Sequence, residues 1–397
     1  MSVLAAAEPG AGRIITAGVC AIILTVGIGR FAYTPLLPVM RAEAGLSTIG
    51  AGWLATINYV GYVGGALIAS RIHTLERKWF LYRLGLVLAV LTTLAMGLTN
   101  NFWLWMVLRL ISGWASTAGM LLATGLVLNW LLRHQRPAEL GIHFAGFGIG
   151  MVLSGLAAIL MLDRLSWSGQ WYVLALFGTL FLVPAWFWLP RPPAAKNMSL
   201  TSDSDLPSRL WMIAFSLAYF CGGFGYVITA TFIVDIIRNM HAVAVSGNWI
   251  WIIMGLAATP SCFLWDRVSS SIGELWSLSL AYALQAASFA LITFGSQPIS
   301  LFAGAVLFGA TVIGTVSLTL SIVGKMFPNN PAKAMARLTI SYGAAQILGP
   351  IVAAYMAGMS TDYHASLSVG TGIAVFGTCL SILCARYGAR LRHRLRK

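Results

Sequence analysis

Two arginines interrupt long apolar runs in this 397-residue chain: Arg30 within GIGRFAYT (27–34) and Arg109 at the head of RLISGWASTAG (109–119). A cation at the centre of a membrane helix costs ~2.5–3.5 kcal/mol on insertion scales, so it needs a reason to be there. The planar guanidinium suits two-point recognition of a carboxylate or phosphate. It suits equally well the clamping of backbone carbonyls on a neighbouring helix, and both roles stay open at this point. The acids inform by where they are missing. All 11 Asp and Glu fall at the ends of apolar runs or between them. The deepest is Asp235, which has Arg238 three residues on as a rim partner. Proton coupling needs a titratable group in the pathway, so Asp235 and His143 are its candidates. His143 reads first as a hydrogen-bonded interface residue. Polar and aromatic residues also recur at helical spacing: Arg30 with Tyr33 and Thr34, Asn58 with Tyr62, Tyr219 with Tyr226, and Tyr342 with Gln346. Each set shares one helix face and marks a candidate substrate surface. Interhelical hydrogen bonding and an interfacial aromatic belt account for such sets as well. No nucleotide-binding loop, metal-ligand cluster or nucleophile–base pair is legible, and no cofactor is expected.

The elements that position these residues follow from composition. Apolar residues make up 58% of the chain and charged residues 9%, against roughly 25% charged in an ordinary soluble domain. Such a surface must face lipid, which leaves helix bundles or closed barrels. The runs are about twenty residues long and apolar on every face, so helices are expected. Spans are placed at 14–40, 47–70, 79–98, 102–131, 140–162 and 170–189, then at 210–237, 245–265, 274–294, 299–326, 332–359 and 367–385. Pro35, Pro38, Pro184, Pro260 and Pro350 are candidate kinks. The first span contains Arg30 and lacks a small-residue cleavage site, so it reads as a retained helix.

The net charge of +14 does not point to nucleic acid, because of its distribution. With both termini cytoplasmic, most Lys and Arg fall at the inner rim, while Arg41, Arg164 and Arg238 lie outside. This is the positive-inside bias. The basic tail 386–397 suits anionic lipid headgroups. The five cysteines, an odd number without metal-like pairing, read as buried apolar side chains. A polar, Pro- and Ser-containing stretch divides the chain into a first half at 1–189, a cytoplasmic linker at 190–209 and a second half at 210–397 with the tail. The halves look duplicated. Gly29 and Gly225 are 196 positions apart in similar phrases, and Gly113 falls on Gly309 at the same offset. Ser70-Arg71 falls on Asp266-Arg267. The Gly-rich stretches 113–119 and 309–315 read as close-packing surfaces.

GRFAYTPLLPVM (29–40), followed by RLISGWASTAG (109–119), resembles the YbfB/YjiJ-like branch of the major facilitator superfamily, and the likeness extends over the whole chain. The resemblance implies twelve transmembrane helices in two six-helix bundles related by a pseudo-twofold axis. It also implies cytoplasmic termini, a central cavity lined by the first and fourth helices among others, and alternating access. Two departures stand out. Ser70 occupies the place of the usual acid in the loop after the second helix, so the inner gate, with Arg71, Asp266 and Arg267, is expected to be lopsided. The fifth helix, AGFGIGMVLSG (145–155), lacks the Gly-Pro phrase of many proton-coupled exporters.

The expected protein is therefore a multi-pass secondary transporter of the bacterial inner membrane, a monomer moving a small organic solute by alternating access. An intramembrane enzyme would need convergent carboxylates or a nucleophile, and a channel would not need duplicated halves and a linker. Arg30, Tyr33, Asn58, Arg109, Tyr226, Tyr342 and Gln346 are the substrate candidates. Asp235, His143, Arg71, Asp266 and Arg267 are the candidates for coupling or gating. Partners are the solute, membrane lipids and a proton as candidate coupling ion, with no nucleic acid. An anionic or amphipathic solute is favoured, because a cation would meet two fixed arginines. The alternative is a proton-coupled multidrug or metabolite exporter that binds through its aromatics.

Overall fold

A chain with so little charge satisfies its backbone within helices. The computed structural model describes residues 10–72, 74–136, 140–193, 208–238, 246–295, 297–327, 331–360 and 363–394. Among these there is no strand. The first half comprises α1 (Ala11–Glu43), α2 (Thr48–Arg71), α3 (Leu75–Leu98), α4 (Phe102–Arg133), α5 (Leu140–Met161) and α6 (Trp167–Trp188). The second comprises α7 (Arg209–Arg238), the bent α8 (Gly247–Ala258 and Ser261–Ile272), α9 (Glu274–Phe294), α10 (Pro298–Met326), α11 (Pro331–Ser360) and α12 (His364–Arg394). Each of the twelve expected spans has its helix. Most of the linker (194–207) and the last residues of the tail (395–397) lie outside the described residues.

Ten of the helices are long and apolar enough to cross a membrane, and α8 with its two arms makes an eleventh. The remaining one, α2, carries Asn58, Tyr59 and Tyr62 and is packed against α4 and α11. Its polarity suits that interior position. The apolar windows of α1 and α7 are 89% and 94% buried, whereas that of α6 is 28% buried. The first helix of each half therefore runs through the centre, and α6 faces lipid. Ser47, Asn101 and Ser166 cap α2, α4 and α6 by accepting backbone N–H groups in the first turn.

The expected prolines act unequally. Pro260 sits at the 45° bend of α8. Pro38, Pro184 and Pro350 lie inside helices that continue through them. In α1 the irregularity precedes the prolines, as a π-helical segment at Ile23–Phe31, and α4 has a second one at Ala118–Ala123.

The repeat is visible in atoms. A Cβ on Gly113 would overlap the carbonyl of Asn58, and a Cβ on Gly309 would overlap that of Met254. Both glycines and both carbonyls are related by the 196-residue offset, so α4 meets α2 as α10 meets α8. Thr34 Oγ1 donates to Ala230 O (2.7 Å), its own repeat equivalent, across the seam between halves. A residue touches its counterpart only near the axis that relates them.

Candidate functional site

The π-helical segment of α1 ends at Arg30 and Phe31, where the chain returns to α-helical register. Such wide turns disturb the regular backbone ladder and leave carbonyls to be satisfied from elsewhere. Helix α4 does so here. Ser112 Oγ donates to Gly29 O (2.6 Å), and Arg109 Nη1 points at Gly29 O (3.4 Å) and Arg30 O (3.5 Å). Arg109 Nε also donates to Leu54 O (3.3 Å) on α2, and its guanidinium lies 4.5 Å from the Tyr33 ring centroid. Tyr33 Oη in turn donates to Ala51 O (3.0 Å), and Asn58 Nδ2 to Arg109 O (2.9 Å). Arg109, Tyr33 and Asn58 thus tie α1, α2 and α4 together. None of the three lines the central cavity.

Arg30 is placed differently. Its guanidinium rests over the rings of Tyr59 (4.2 Å) and Tyr62 (4.7 Å) on α2. The side chain is buried, and its Nε and Nη2 have no hydrogen-bond partner. It faces a cavity of about 90 Å³ between the halves, together with Tyr62, Tyr219, Tyr226, Tyr342 and Gln346. Val26, Met120, Phe144 and Phe147 form apolar wall from the first half, and Val312, Ile313 and Val316 from the second. Tyr219 stacks on Tyr342 (4.4 Å, 26°), Tyr342 is near-parallel to Tyr226 (6.2 Å, 20°), and Tyr226 to Phe308 (5.8 Å, 25°). The Oε1 of Gln346 is a further buried polar atom without a partner. Of the substrate candidates, Arg30, Tyr226, Tyr342 and Gln346 therefore share one cavity, with Tyr62 and Tyr219 beside them.

The cavity is shut at the end away from the termini. Besides Thr34 and Ala230, Thr56 Oγ1 donates to Ile347 O (3.0 Å), and Gly52 is packed against Ala354 and Pro350. At the rim the Arg41 guanidinium forms an ion pair with the Asp235 carboxylate. Tyr363 Oη donates to the same carboxylate (2.8 Å), and Arg41 Nη2 to Thr48 Oγ1 (2.7 Å). The expected partner of Asp235 was Arg238; the structure pairs it with Arg41 on the other half. Toward the termini, a vestibule of about 260 Å³ lies between α2, α4, α10 and α11, with Lys78 of α3 at its lining, and shares Leu121, Leu320 and Thr339 with the cavity.

The other gating candidates sit apart. His143 is fully buried, with Nε2 2.7 Å from Thr124 Oγ1. The Thr124 hydroxyl donates to Met120 O (2.8 Å), which assigns the ring hydrogen to Nε2. The side chain packs against Gly18, so it joins α1, α4 and α5 and does not line the cavity. Arg71, Asp266 and Arg267 are exposed at the termini end, and no ion pair joins them among the described residues. Lys325 and Glu274 pair at that end instead (2.5 Å).

Sequence reasoning missed Arg41 as the partner of Asp235, having treated it as an outside charge, and missed Tyr363 with it. Offset arithmetic would not have found them, since the pairing joins unlike positions. It also left out Phe144, Phe147 and Met120, which are indistinguishable from core residues in a chain this apolar.

A family model described as "Uncharacterised MFS-type transporter YbfB" matches residues 22–382. A "Probable sugar efflux transporter" of Helicobacter pylori (strain P12) is 22% identical over 319 residues, 78% of this chain and 79% of that protein. Among solved structures, the nucleoside transporter NupG superposes with a TM-score of 0.70 at 17% identity, covering 94% of this chain and 99% of that one. The human organic anion transporter MFSD10 (TETRAN) gives 0.67 at 17% identity, covering 94% and 100%.

Proposed function

The chain belongs to the YbfB-type transporters of the major facilitator superfamily, and from that premise we propose that it carries a small organic anion across the bacterial inner membrane by alternating access. One observation carries this reading. Arg30, which lines the cavity between the halves, keeps two buried donors without partners. A buried guanidinium edge left unpaired is costly, and an anion arriving from the vestibule relieves that cost. Arg109 lies at similar depth but is bonded to carbonyls, so the cavity presents one free cation edge among its described lining.

The closed seam at the rim and the vestibule at the opposite end fit one extreme of a rocking cycle. The charge distribution supports cytoplasmic termini, which makes this the inward-facing extreme. Asp235, with Arg41, serves as the outer latch in this reading, and it is also the place where a coupling proton would act. The rival reading, a metabolite or drug exporter binding through aromatics, draws on the tyrosine wall and on the name of the Helicobacter relative.

The test is ligand-induced thermal stabilisation of the purified protein by organic anions, neutral sugars and nucleosides, and organic cations. Anions should raise the midpoint of the wild type, and Arg30→Ala should abolish that rise while folding is retained. Stabilisation by sugars or cations that survives Arg30→Ala would overturn the proposal in favour of the aromatic reading.

A further inference from the structure

The cavity's shape and chemistry say more about the solute than its charge, provided that Arg30 is its cation as proposed above. We infer that the solute is a monocarboxylate with a single flat ring: the carboxylate is held side-on by the Nε–Nη2 edge of Arg30, and the ring is laid against the tyrosines of α7 and α11.

The head group follows from which atoms are free. Nε and Nη2 lie on the same edge of the guanidinium, and their N–H bonds run parallel, matching the two oxygens of one carboxylate. Both atoms are buried and unpartnered. The rest of the group lies over the rings of Tyr59 and Tyr62, whose faces favour a cation. The charge of the solute follows from the lining. Among the described residues around the cavity Arg30 is the one ionised side chain. It matches a single negative charge. A dicarboxylate or phosphate monoester would bring a second charge into walls of Val26, Phe144, Phe147 and Val312 with nothing to meet it.

The body follows from the opposite wall. Tyr219, Tyr342 and Tyr226 form a run of near-parallel rings on the second half. The faces within the run are taken up by one another, so it offers ring edges, and a flat aromatic ring gains edge-to-face contact there that a puckered ring of equal size does not. The volume of about 90 Å³ is below the ~150 Å³ of a cavity that holds benzene, so at most a single ring fits, and it does so by sharing the adjoining vestibule past Leu121 and Thr339. Gln346 adds a preference. Its buried, unpartnered amide oxygen calls for a donor, which a ring hydroxyl or amine supplies.

Binding is measured by calorimetry on the full-length protein in nanodiscs, with benzoate, 4-hydroxybenzoate, cyclohexanecarboxylate, benzyl alcohol, phthalate and glucose as probes. Benzoate should bind more tightly than cyclohexanecarboxylate by several-fold, about 2- to 10-fold from edge-to-face contact, and benzyl alcohol and phthalate should bind far more weakly. 4-Hydroxybenzoate should exceed benzoate, and Gln346→Leu should remove that advantage. Tyr342→Leu should erase the difference between the flat and puckered acids while leaving both dependent on Arg30, with Tyr342→Phe as the control that keeps the ring. Arg30→Lys should weaken every carboxylate about tenfold by losing the two-point edge, and thermal midpoints confirm that each variant is folded. Equal affinity for benzoate and cyclohexanecarboxylate, both lost in Arg30→Ala, would overturn the flat-ring inference and leave the anion reading standing. Glucose or benzyl alcohol binding unaffected by Arg30→Ala, or no carboxylate binding to the wild type at all, would overturn both.

Discussion

Neutralising Asp235 should release the outer gate, and the structure sets the scale of the effect. The carboxylate is almost wholly buried, its partner Arg41 is about a quarter exposed, and Tyr363 donates to the same oxygen. Hydrogen bonds to charged groups contribute roughly 1.5–3 kcal/mol each. Asp235→Asn keeps an acceptor for Tyr363 and Arg41 but loses the charge, so about 2 kcal/mol of latch stability should go. At 1.4 kcal/mol per tenfold, the population open at the rim should rise about 30-fold. The readout is the labelling rate of a cysteine at Thr56, in a background without the native cysteines. Thr56 is buried in the same seam, where it donates to Ile347 O. A maleimide reaches it only when the seam parts, so the rate follows the open population even when that population is small. Asp235→Asn should accelerate labelling about 30-fold, and Arg41→Gln should do the same. The double variant should add little, since both remove one interaction. A labelling rate unchanged by either substitution would refute the latch and leave the Arg41–Asp235 pair as a rim contact without gating weight.

Arg109→Ala should lower expression and thermal midpoint, because the carbonyls of Leu54 and Arg30 lose their side-chain donor and Gly29 O keeps Ser112 alone. Folded survivors should bind anions like the wild type, which calorimetry would show. Gly113→Ala and Gly309→Ala should both prevent stable assembly, since each new methyl meets a carbonyl, whereas Gly125→Ala meets nothing; detergent-solubilised yield and midpoint check this. Cysteines at Ser208 and Asn100 should be labelled from opposite sides of the membrane in intact cells, Asn100 from outside, and the reverse pattern would invert the orientation. His143→Gln should cost midpoint but leave the pH dependence of uptake unaltered.

The helices were legible because membrane burial writes them into composition: long apolar runs have few other structures available. The duplication was legible because close helix packing demands glycine at Gly113 and at Gly309, and glycine is easily seen at a fixed offset. The site was legible only by class. Sequence shows that Arg30 and Arg109 are both cations within long apolar runs, and it raises both to the same candidacy. What separates them is which carbonyls lie within reach. Two of those carbonyls, Gly29 O and Arg30 O, lie in the π-helical segment of α1 at 23–31, and nothing in ILTVGIGRF marks that segment in advance. The Arg41–Asp235 pair was illegible for a related reason. It joins the outer ends of two helices distant in sequence, and local spacing offers Asp235 a nearer partner in Arg238.

The symmetry of the fold also explains how one cavity acquires two unlike ends. Thr34 and Ala230 meet across the axis, so their neighbours on α1 and α7 occupy equivalent places, with Arg30 falling on Tyr226. A strictly symmetric protein would present two cations, or two tyrosines, to the same solute. Here the first half keeps the guanidinium, and stabilises it by the rings of Tyr59 and Tyr62. The second half has Tyr226 instead, continued by Tyr342 and Tyr219 into an aromatic wall. Divergence at this one pair turns a symmetric gap into one lined by a guanidinium on one side and aromatic rings on the other; in the proposed reading, charge is recognised by one bundle and shape by the other. A solute that spans both ends must touch both halves, and in the proposed alternating-access cycle such bridging contacts would couple binding to the rocking of one bundle against the other.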